Sequence, residues 1–125
     1  MGLGAPEPST FAYPYGDVAA RAKRVLAPRF ALLRGLHHGL VRQGGDLNQA
    51  PAVGIEGPDG ESRALSWIRR AAHERAWLIL YTHDVAENPS PWGCTPRTLE
   101  RLIDAAVGSG AEIVTVAEGA RRLAA

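Results

Sequence analysis

A histidine that directly follows an apolar run is the first residue of this sequence that could do chemistry. His83 comes shortly after residues 77–81, which form the most apolar run of the chain. Apolar neighbours tune an imidazole, so His83 can act as a general acid or base near neutral pH. A histidine at this position can equally make only a capping hydrogen bond, and residue type and position alone do not decide between the two roles.

Two aspartates are candidates to assist this histidine. Asp46 lies in a polar loop and can reach His83 only through space, so on the local pattern a solvated loop acid is the simpler interpretation. Asp84 is the next residue after His83. Because adjacent side chains at a strand end point to opposite sides, we expect Asp84 to be a local turn or capping acid.

Metal ligands are not predicted within this sequence. The adjacent pair His37-His38 has no carboxylate at ligand spacing, and neighbouring side chains rarely converge on one ion. The single cysteine, Cys94, has no second cysteine with which to form a disulfide or a thiolate zinc site. We therefore expect His37-His38 to be an exposed loop, and we expect no cofactor in this chain by itself.

The three tryptophans divide by their sequence context. Trp67 and Trp77 lie in apolar patterns and are predicted to belong to the core. Trp92 lies in a loop rich in Pro and Gly after His83, where its ring can offer a flat face to a sugar or pack over the loop.

The elements that must position these residues alternate between apolar runs and helical patterns. This alternation predicts an α/β protein with about five mostly parallel strands between helices. The run at 77–81 is expected to be buried on both faces, as in parallel sheets. Strands are predicted at residues 10–13, 30–33, 52–55, 77–81 and 113–116.

Helix patterns fill the intervening segments, except for a long polar loop at residues 35–49. Asp17 is predicted to cap the first helix and Pro28 to end it, and Thr95 with Pro96 to start the third. That third helix should end at Gly108 or Gly110. A second helix is predicted at 62–75 and a last short helix at 117–123. The residues expected to be buried are Val18, Ala22, Val25 and Leu26 in the first helix, Leu65, Ile68 and Ala72 in the second, and Leu99, Leu102, Ile103 and Ala106 in the third.

Size and charge narrow the classes of partner. A chain of 125 residues with a net charge of +1 is long enough for one domain, and it has no charge excess that would attract nucleic acid or a membrane surface. Residues 1–9 are expected to be disordered. They contain no signal-peptide pattern, so the chain as written is expected to be cytoplasmic.

Three segments, in order and spacing, resemble motifs of the polysaccharide deacetylases, carbohydrate esterase family four. Residues 11–16 (Phe-Ala-Tyr-Pro-Tyr-Gly), 46–48 (Asp-Leu-Asn) and 78–84 (Leu-Ile-Leu-Tyr-Thr-His-Asp) look like the third, fourth and fifth motifs of that family. The tail, from the Thr-Pro helix start to residue 116, is similar to the ending of the family. The resemblance covers about residues 11–123.

The resemblance implies a metal-dependent hydrolase on a distorted α/β barrel that removes N-acetyl or O-acetyl groups from carbohydrates. His83 would protonate the leaving amine and Asp46 would orient or activate His83. The backbone N–H of Tyr15, next to Pro14, would help to stabilise the oxyanion. The residues expected to contact substrate are Pro14, Tyr15, Tyr81 and Trp92.

Several departures from the family pattern limit what the chain is expected to do alone. Ala12 stands where the family has an arginine, and Tyr81 stands where an aliphatic residue commonly lines the acyl pocket. The first two motifs, which carry the catalytic base and the ligands of zinc or a similar divalent metal, are absent from the sequence. We therefore expect the C-terminal half of such a domain, a partial barrel that is inactive alone and binds the metal only together with an N-terminal half.

Two classes of function remain open at this point. The first is a deacetylase-like fragment whose partners are an acetylated carbohydrate and an N-terminal half, or a second copy joined through open sheet edges. The alternative is a non-catalytic carbohydrate-binding or protein-interaction module.

Overall fold

The computed structural model describes residues 4–16 and 18–124 of the chain. It is an α/β structure with parallel strands, as the alternating pattern predicts. The strands are β1 (Thr10–Ala12), β2 (Leu32–Arg34), β3 (Val53–Gly54) and β4 (Leu80–Tyr81), and the helices are α1 (Ala20–Leu26), α2 (Gly60–Glu74), α3 (Pro96–Gly108) and α4 (Val116–Ala124).

The strands lie side by side in the order of the chain. β1 pairs in parallel with β2, and β3 pairs in parallel with β4. A parallel bridge between Arg34 and Ala50, just ahead of β3, joins the two pairs. The loops that follow β1 and β4 therefore both leave from carboxyl ends of parallel strands, but at the two opposite sides of the row of strands.

Each face of the sheet has its own apolar cluster. On one face Leu32, Ala52 and Ile79 pack with α4 through Ala120. On the other face Ile55 packs with α2 and α3, and Leu78 and Leu80 of the β4 segment lie against the same cluster. Because side chains alternate along an extended chain, residues 77, 79 and 81 face α4, while 78 and 80 face α2 and α3.

The predictions for the strands need three corrections. Only Ile79 is buried in the run at 77–81 and its neighbours are half-buried, so the run is not covered on both faces. The second strand lies at Leu32–Arg34 instead of 30–33. Residues 111–115 form no strand and α4 begins at Val116, so the prediction of a strand at 113–116 was wrong.

The first and third of these corrections share one physical cause. Within the described residues, β4 is hydrogen-bonded to β3 on one side and has no partner strand on the other. A strand at the side of a sheet is covered only where helices reach it, which leaves Leu78 and Leu80 half-buried and Ile113 57% exposed.

The predicted helices are all present, but some of their buried residues differ. α3 begins at Thr95-Pro96 and ends at Gly108 as predicted, although Ile103 is exposed. α2 buries Ala64 and Ile68, whereas Ala72 is exposed. The remaining differences are in α1, which buries none of its residues and exposes 58% of Val25, and at Asp17, the predicted cap, which lies outside the described residues.

The described part of the N-terminal segment makes no regular structure before β1. Residues 4–9 of the segment expected to be disordered are exposed coil, and residues 1–3 lie outside the described part. No helix in the described part of the chain is both long enough and apolar enough to cross a bilayer.

Candidate functional site

The loop after β4 brings His83 and Trp92 together. The backbone N–H of His83 donates to the carbonyl oxygen of Trp92 at 3.3 Å. The His83 side chain is exposed and makes no hydrogen bond to any described residue, and the Trp92 side chain is 59% exposed. An imidazole and a flat aromatic ring are therefore both open to solvent in one loop.

Asp84 holds this loop in shape, as the sequence predicted for a turn acid. Its carboxylate accepts hydrogen bonds from the N–H of Ser90 at 2.7 Å and from the hydroxyl of Ser90 at 2.6 Å. These bonds lower the pKa of Asp84, and the charge of His83 contributes less. Gly93 packs so closely on Asp84 that a Cβ at position 93 would collide with its carboxylate and its carbonyl oxygen.

Both ends of the His83 loop are tied to neighbouring elements. The hydroxyl of Thr82 donates to the carbonyl oxygen of Ile55 at 2.9 Å, and the N–H of Cys94 donates to the carbonyl oxygen of Asp84 at 3.0 Å. The loop then enters α3 through Thr95, whose side chain caps the helix by accepting from the N–H of Thr98 at 3.1 Å. The loop that presents His83 is thus fixed along its length.

The turn after β1 presents Tyr15 in a different way. Pro14–Gly16 is a short 3-10 turn in which Tyr15 has φ 56° and ψ 17°, followed by Gly16 with φ 67°. A bulky residue at positive φ is rare and strained. The Tyr15 side chain is 99% exposed, and Pro14 is exposed beside it, so this turn offers its aromatic ring and its backbone to solvent.

Asp46 is engaged away from His83. Its carboxylate accepts from the ammonium of Lys23 on α1 at 2.5 Å and from the N–H of Asn48 at 2.9 Å. The bond to Lys23 is the largest cause of the lowered pKa of Asp46, and the weaker contribution of a histidine comes from His37. No hydrogen bond joins Asp46 to His83.

A buried tyrosine just after β1 bonds to the loop that carries Asp46. The hydroxyl of Tyr13, a residue only 4% exposed, donates to the carbonyl oxygen of Asn48 at 2.8 Å. Burial raises the pKa of Tyr13, so the hydroxyl stays protonated and remains a donor. The loop that carries Asp46 is therefore positioned by α1 and β1, whereas His83 is positioned by β4 and α3.

Tyr81, which was predicted to contact substrate, lies beside Arg34, which the sequence pattern did not single out. The guanidinium carbon of Arg34 lies 5.0 Å from the centroid of the Tyr81 ring. Gly54, on the strand between them, has no side chain, and a Cβ there would lie 2.9 Å from the ring. The resemblance expects an arginine at Ala12, and Ala12 is the register partner of Arg34, but that relation becomes visible only once the strands are paired.

Burial and charge act together on this pair. Burial lowers the pKa of Arg34, and the nearby Tyr81 partly opposes that change. Burial is also the main cause of the raised pKa of Tyr81, to which the charge of Glu56 adds. The guanidinium stays charged, and the tyrosine stays neutral, at physiological pH.

The donor set does not fit the metal that the family resemblance implies. Across residues 4–16 and 18–124, no three His, Cys, Asp or Glu side chains come together at a spacing that could hold an ion. His37 and His38 are exposed, as predicted, and Asp46 is bonded to Lys23.

No protein-family model, no curated protein and no solved structure matches the chain. The candidate site is therefore defined by its own residues and their geometry.

Proposed function

We propose that this chain supplies the proton-donating side of a polysaccharide-deacetylase-like site that acts on N-acetyl or O-acetyl groups of carbohydrates. The supporting observation is that His83 follows the carboxyl end of a parallel strand, with an exposed imidazole that bonds to no described residue and a backbone N–H that bonds to Trp92. Active sites of parallel α/β folds collect at these ends. The consecutive order of four parallel strands is compatible with part of a (β/α) barrel.

The chemistry assigned to the chain is limited to what its residues can do. A protonated His83 would give its proton to the nitrogen that leaves as the carbon–nitrogen bond of the acetamide breaks. The N–H of Tyr15 would donate toward the negative oxygen that forms on the carbonyl carbon. The residue that activates water and the metal ligands must come from another segment, so the described chain by itself is expected to release no acetate.

Asp46 carries less of the proposal than His83. Both of its carboxylate oxygens accept hydrogen bonds from other groups, so Asp46 can orient His83 only if it gives up its bond to Lys23. The proposal therefore depends on His83 and not on Asp46.

Restoring the absent motifs tests the proposal. The N-terminal half of a polysaccharide deacetylase, carrying the family's first two motifs, would be fused ahead of residue 11 and acetate release from N-acetylglucosamine oligomers measured with added zinc. Because proton transfer contributes about 10²–10⁴-fold, His83→Ala should lose about that factor. His73→Ala, which removes an exposed histidine from the last turn of α2, is the matched control and should retain full activity.

The results would separate the assignment of His83 from a failure to assemble. Zinc bound by the fusion in a stoichiometric amount would show that the added half is folded. A zinc-loaded fusion that releases acetate equally well with alanine at 83 would refute the role of His83, and one that releases none would refute the deacetylase proposal.

The exposed aromatic rings favour one alternative, a non-catalytic carbohydrate-binding module. Trp92 is 59% exposed and Tyr15 99% exposed, and such rings stack on sugar faces. In that case N-acetylglucosamine oligomers should bind the chain in a calorimetric titration, Trp92→Ala should abolish the binding, and His83→Ala should leave it intact. The half-buried Trp67, replaced by Phe, would control for general loss of aromatic surface.

Open sheet edges support the proposed protein partners. Within the described residues, β1 and β4 each have a strand neighbour on one side only. A groove of about 1170 Å³, lined by apolar residues such as Leu80, Leu102 and Ile103, runs beside β4. Light scattering over a range of concentrations tests self-association through these edges, and a mass that stays monomeric throughout would exclude it.

A further inference from the structure

Arg34 is a half-buried cation without a carboxylate partner. Among the described residues its guanidinium donates only to the carbonyl oxygen of Gly35, at a long 3.3 Å, and it takes part in no ion pair. A guanidinium has five N–H donors, so most of those of Arg34 are unused. Leaving a desolvated charge without a partner destabilises a protein, because water no longer compensates it fully.

The cations that form ion pairs within the described residues lie in different surroundings from Arg34. Those that pair with carboxylates have side chains that are 30–77% exposed, so their pairs lie at the surface. The paired cations are Lys23, Arg42, Arg70, Arg101, Arg121 and Arg122. Arg34 is half-buried and has no carboxylate partner among the described residues.

The neighbouring Arg63 uses its guanidinium group differently, although its Nε is buried with no hydrogen-bond partner among the described residues. Arg63 donates to the carbonyl oxygens of Gly54 at 3.1 Å and Glu56 at 2.8 Å, so it holds the end of β3. Arg34 has no equivalent acceptors. Its guanidinium instead lies 5.0 Å from the centroid of the Tyr81 ring, which fixes its plane but leaves its edges free.

We propose that Arg34 binds the carboxylate of a small ligand, such as a uronic acid, at the carboxyl end of β2. The planar fork of a guanidinium matches a carboxylate with two parallel hydrogen bonds. The ring of Tyr81 holds the guanidinium in place, and the absence of a side chain at Gly54 makes room for that ring. This inference is independent of the hydrolase proposal, since it requires no catalysis and neither His83 nor a metal.

The charge balance favours a carboxylate over a phosphate. One free guanidinium neutralises one negative charge, and Glu56 lies close enough to act on the pKa of Tyr81. A doubly charged phosphate would leave one charge unbalanced. A carboxylate would not.

Nuclear magnetic resonance titration of the whole chain tests the proposal. Sodium glucuronate would be added at pH 7 and low ionic strength, with the neutral methyl glucoside and inorganic phosphate as separate arms. We expect glucuronate to shift the Nε–H resonance of Arg34 and the ring resonances of Tyr81 along a saturating curve. Methyl glucoside should produce no saturating shift, and phosphate should bind more weakly than glucuronate.

Variants then assign the binding to the guanidinium. Arg34→Met keeps the length of the side chain but removes its charge, and should weaken glucuronate binding about tenfold or more. Arg34→Lys keeps the charge without the fork and should bind with intermediate affinity. Arg69→Met, at an exposed position on α2, is the matched control and should bind as the native chain does.

Three results would overturn the proposal. They are no saturating shift with glucuronate in the native chain, equal binding by the folded Arg34→Met variant, or tighter binding of phosphate than of glucuronate. If Arg34→Met does not fold, the native titration and the Arg34→Lys variant still decide, because equal affinity of the lysine variant would exclude recognition by the fork.

Discussion

The two loops that present Tyr15 and His83 precede helices that begin in opposite ways. α3, after the His83 loop, starts with the side-chain cap of Thr95 followed by Pro96, and it buries Leu102. α1, after the Tyr15 turn, has Ala19 at its cap position with no side-chain hydrogen bond, and it buries none of its residues.

Long-range contacts widen the difference between the two helices. α3 packs on α2, where Glu61 accepts from Arg101 at 2.5 Å and from the hydroxyl of Thr98 at 3.0 Å. α1 is tied to the rest of the described chain by the surface pair of Lys23 with Asp46. The His83 loop is therefore followed by a firmly packed helix and the Tyr15 turn by a weakly held one. The comparison teaches that the fold preorganises the His83 loop more than the Tyr15 turn.

The largest effect should come from the core beneath α3. Leu102 is 2% exposed, and Leu102→Ala removes buried methyl groups and leaves a cavity, so it should lower the free energy of unfolding by about 2–5 kcal/mol. Val107→Ala, at a position 59% exposed on the same helix, should change it by less than about 0.5 kcal/mol. Urea denaturation followed by circular dichroism measures both, and equal effects would mean that α3 is not anchored as described.

A smaller effect should follow from crowding the His83 loop. In Gly93→Ala the new methyl group meets Asp84, which must move, and such overpacking lowers the free energy of unfolding by about 1–3 kcal/mol. The bond between Asp84 and Ser90 should break, which would shift the amide resonance of Ser90. Gly108→Ala serves as the control, since a Cβ there meets nothing within 4 Å. A Gly93→Ala protein with native stability would show that the loop is loose.

Exchanging the caps tests the comparison directly. Thr95→Ala should destabilise the protein by about 1 kcal/mol because the N–H of Thr98 loses its acceptor. Ala19→Ser should stabilise α1 by up to about 1 kcal/mol by supplying the missing cap. Amide hydrogen exchange in each helix reports the change locally. If Ala19→Ser does not slow amide exchange in α1, the missing cap is not the reason that α1 is weakly held.

The smallest effect should be on how the free energy of unfolding falls at acid pH, which is the acid limb of its pH dependence. Hydrogen bonds from Arg101 and then Thr98 lower the pKa of Glu61 from its ordinary 4.5, so its stabilisation is present above about pH 4.5 and is lost as the pH falls through the lowered value. Glu61→Gln should flatten this limb. Arg101→Met should flatten it too, and the double variant should add little, because both changes remove one interaction. If the effects of the two single changes on the free energy of unfolding simply add in the double variant at acid pH, the Glu61–Arg101 pair is not the cause of this limb.

Features set by near neighbours in sequence could be predicted, and features set by the sheet could not. The start of α3 at Thr95-Pro96 and the turn role of Asp84 depend on contacts within a few residues. The side chains of Leu78 and Leu80 are half-buried because no described strand covers the far side of β4, which no periodicity reveals.

The candidate site illustrates the same limit. His83 and Trp92 share one loop, and the sequence places both in it. The surroundings of Arg34 are set by Tyr81 and Gly54, which lie on two other strands. Only the pairing of the strands therefore shows that Arg34 has no carboxylate partner among the described residues. Asp46 was expected to serve His83, yet Lys23 of α1 lies nearer to it in the folded chain.

The position of α4 has a consequence for the kinetics of assembly. Its Ala120 packs on the face of the sheet opposite α2 and α3, and Gly119 lies against Trp77 with no room for a side chain. In a closed barrel this face would be the interior, filled by side chains of all the strands. If a complementary half closes such a barrel, α4 has to leave this face first. The observed rate of association should then level off, as the partner's concentration rises, at the rate at which α4 departs.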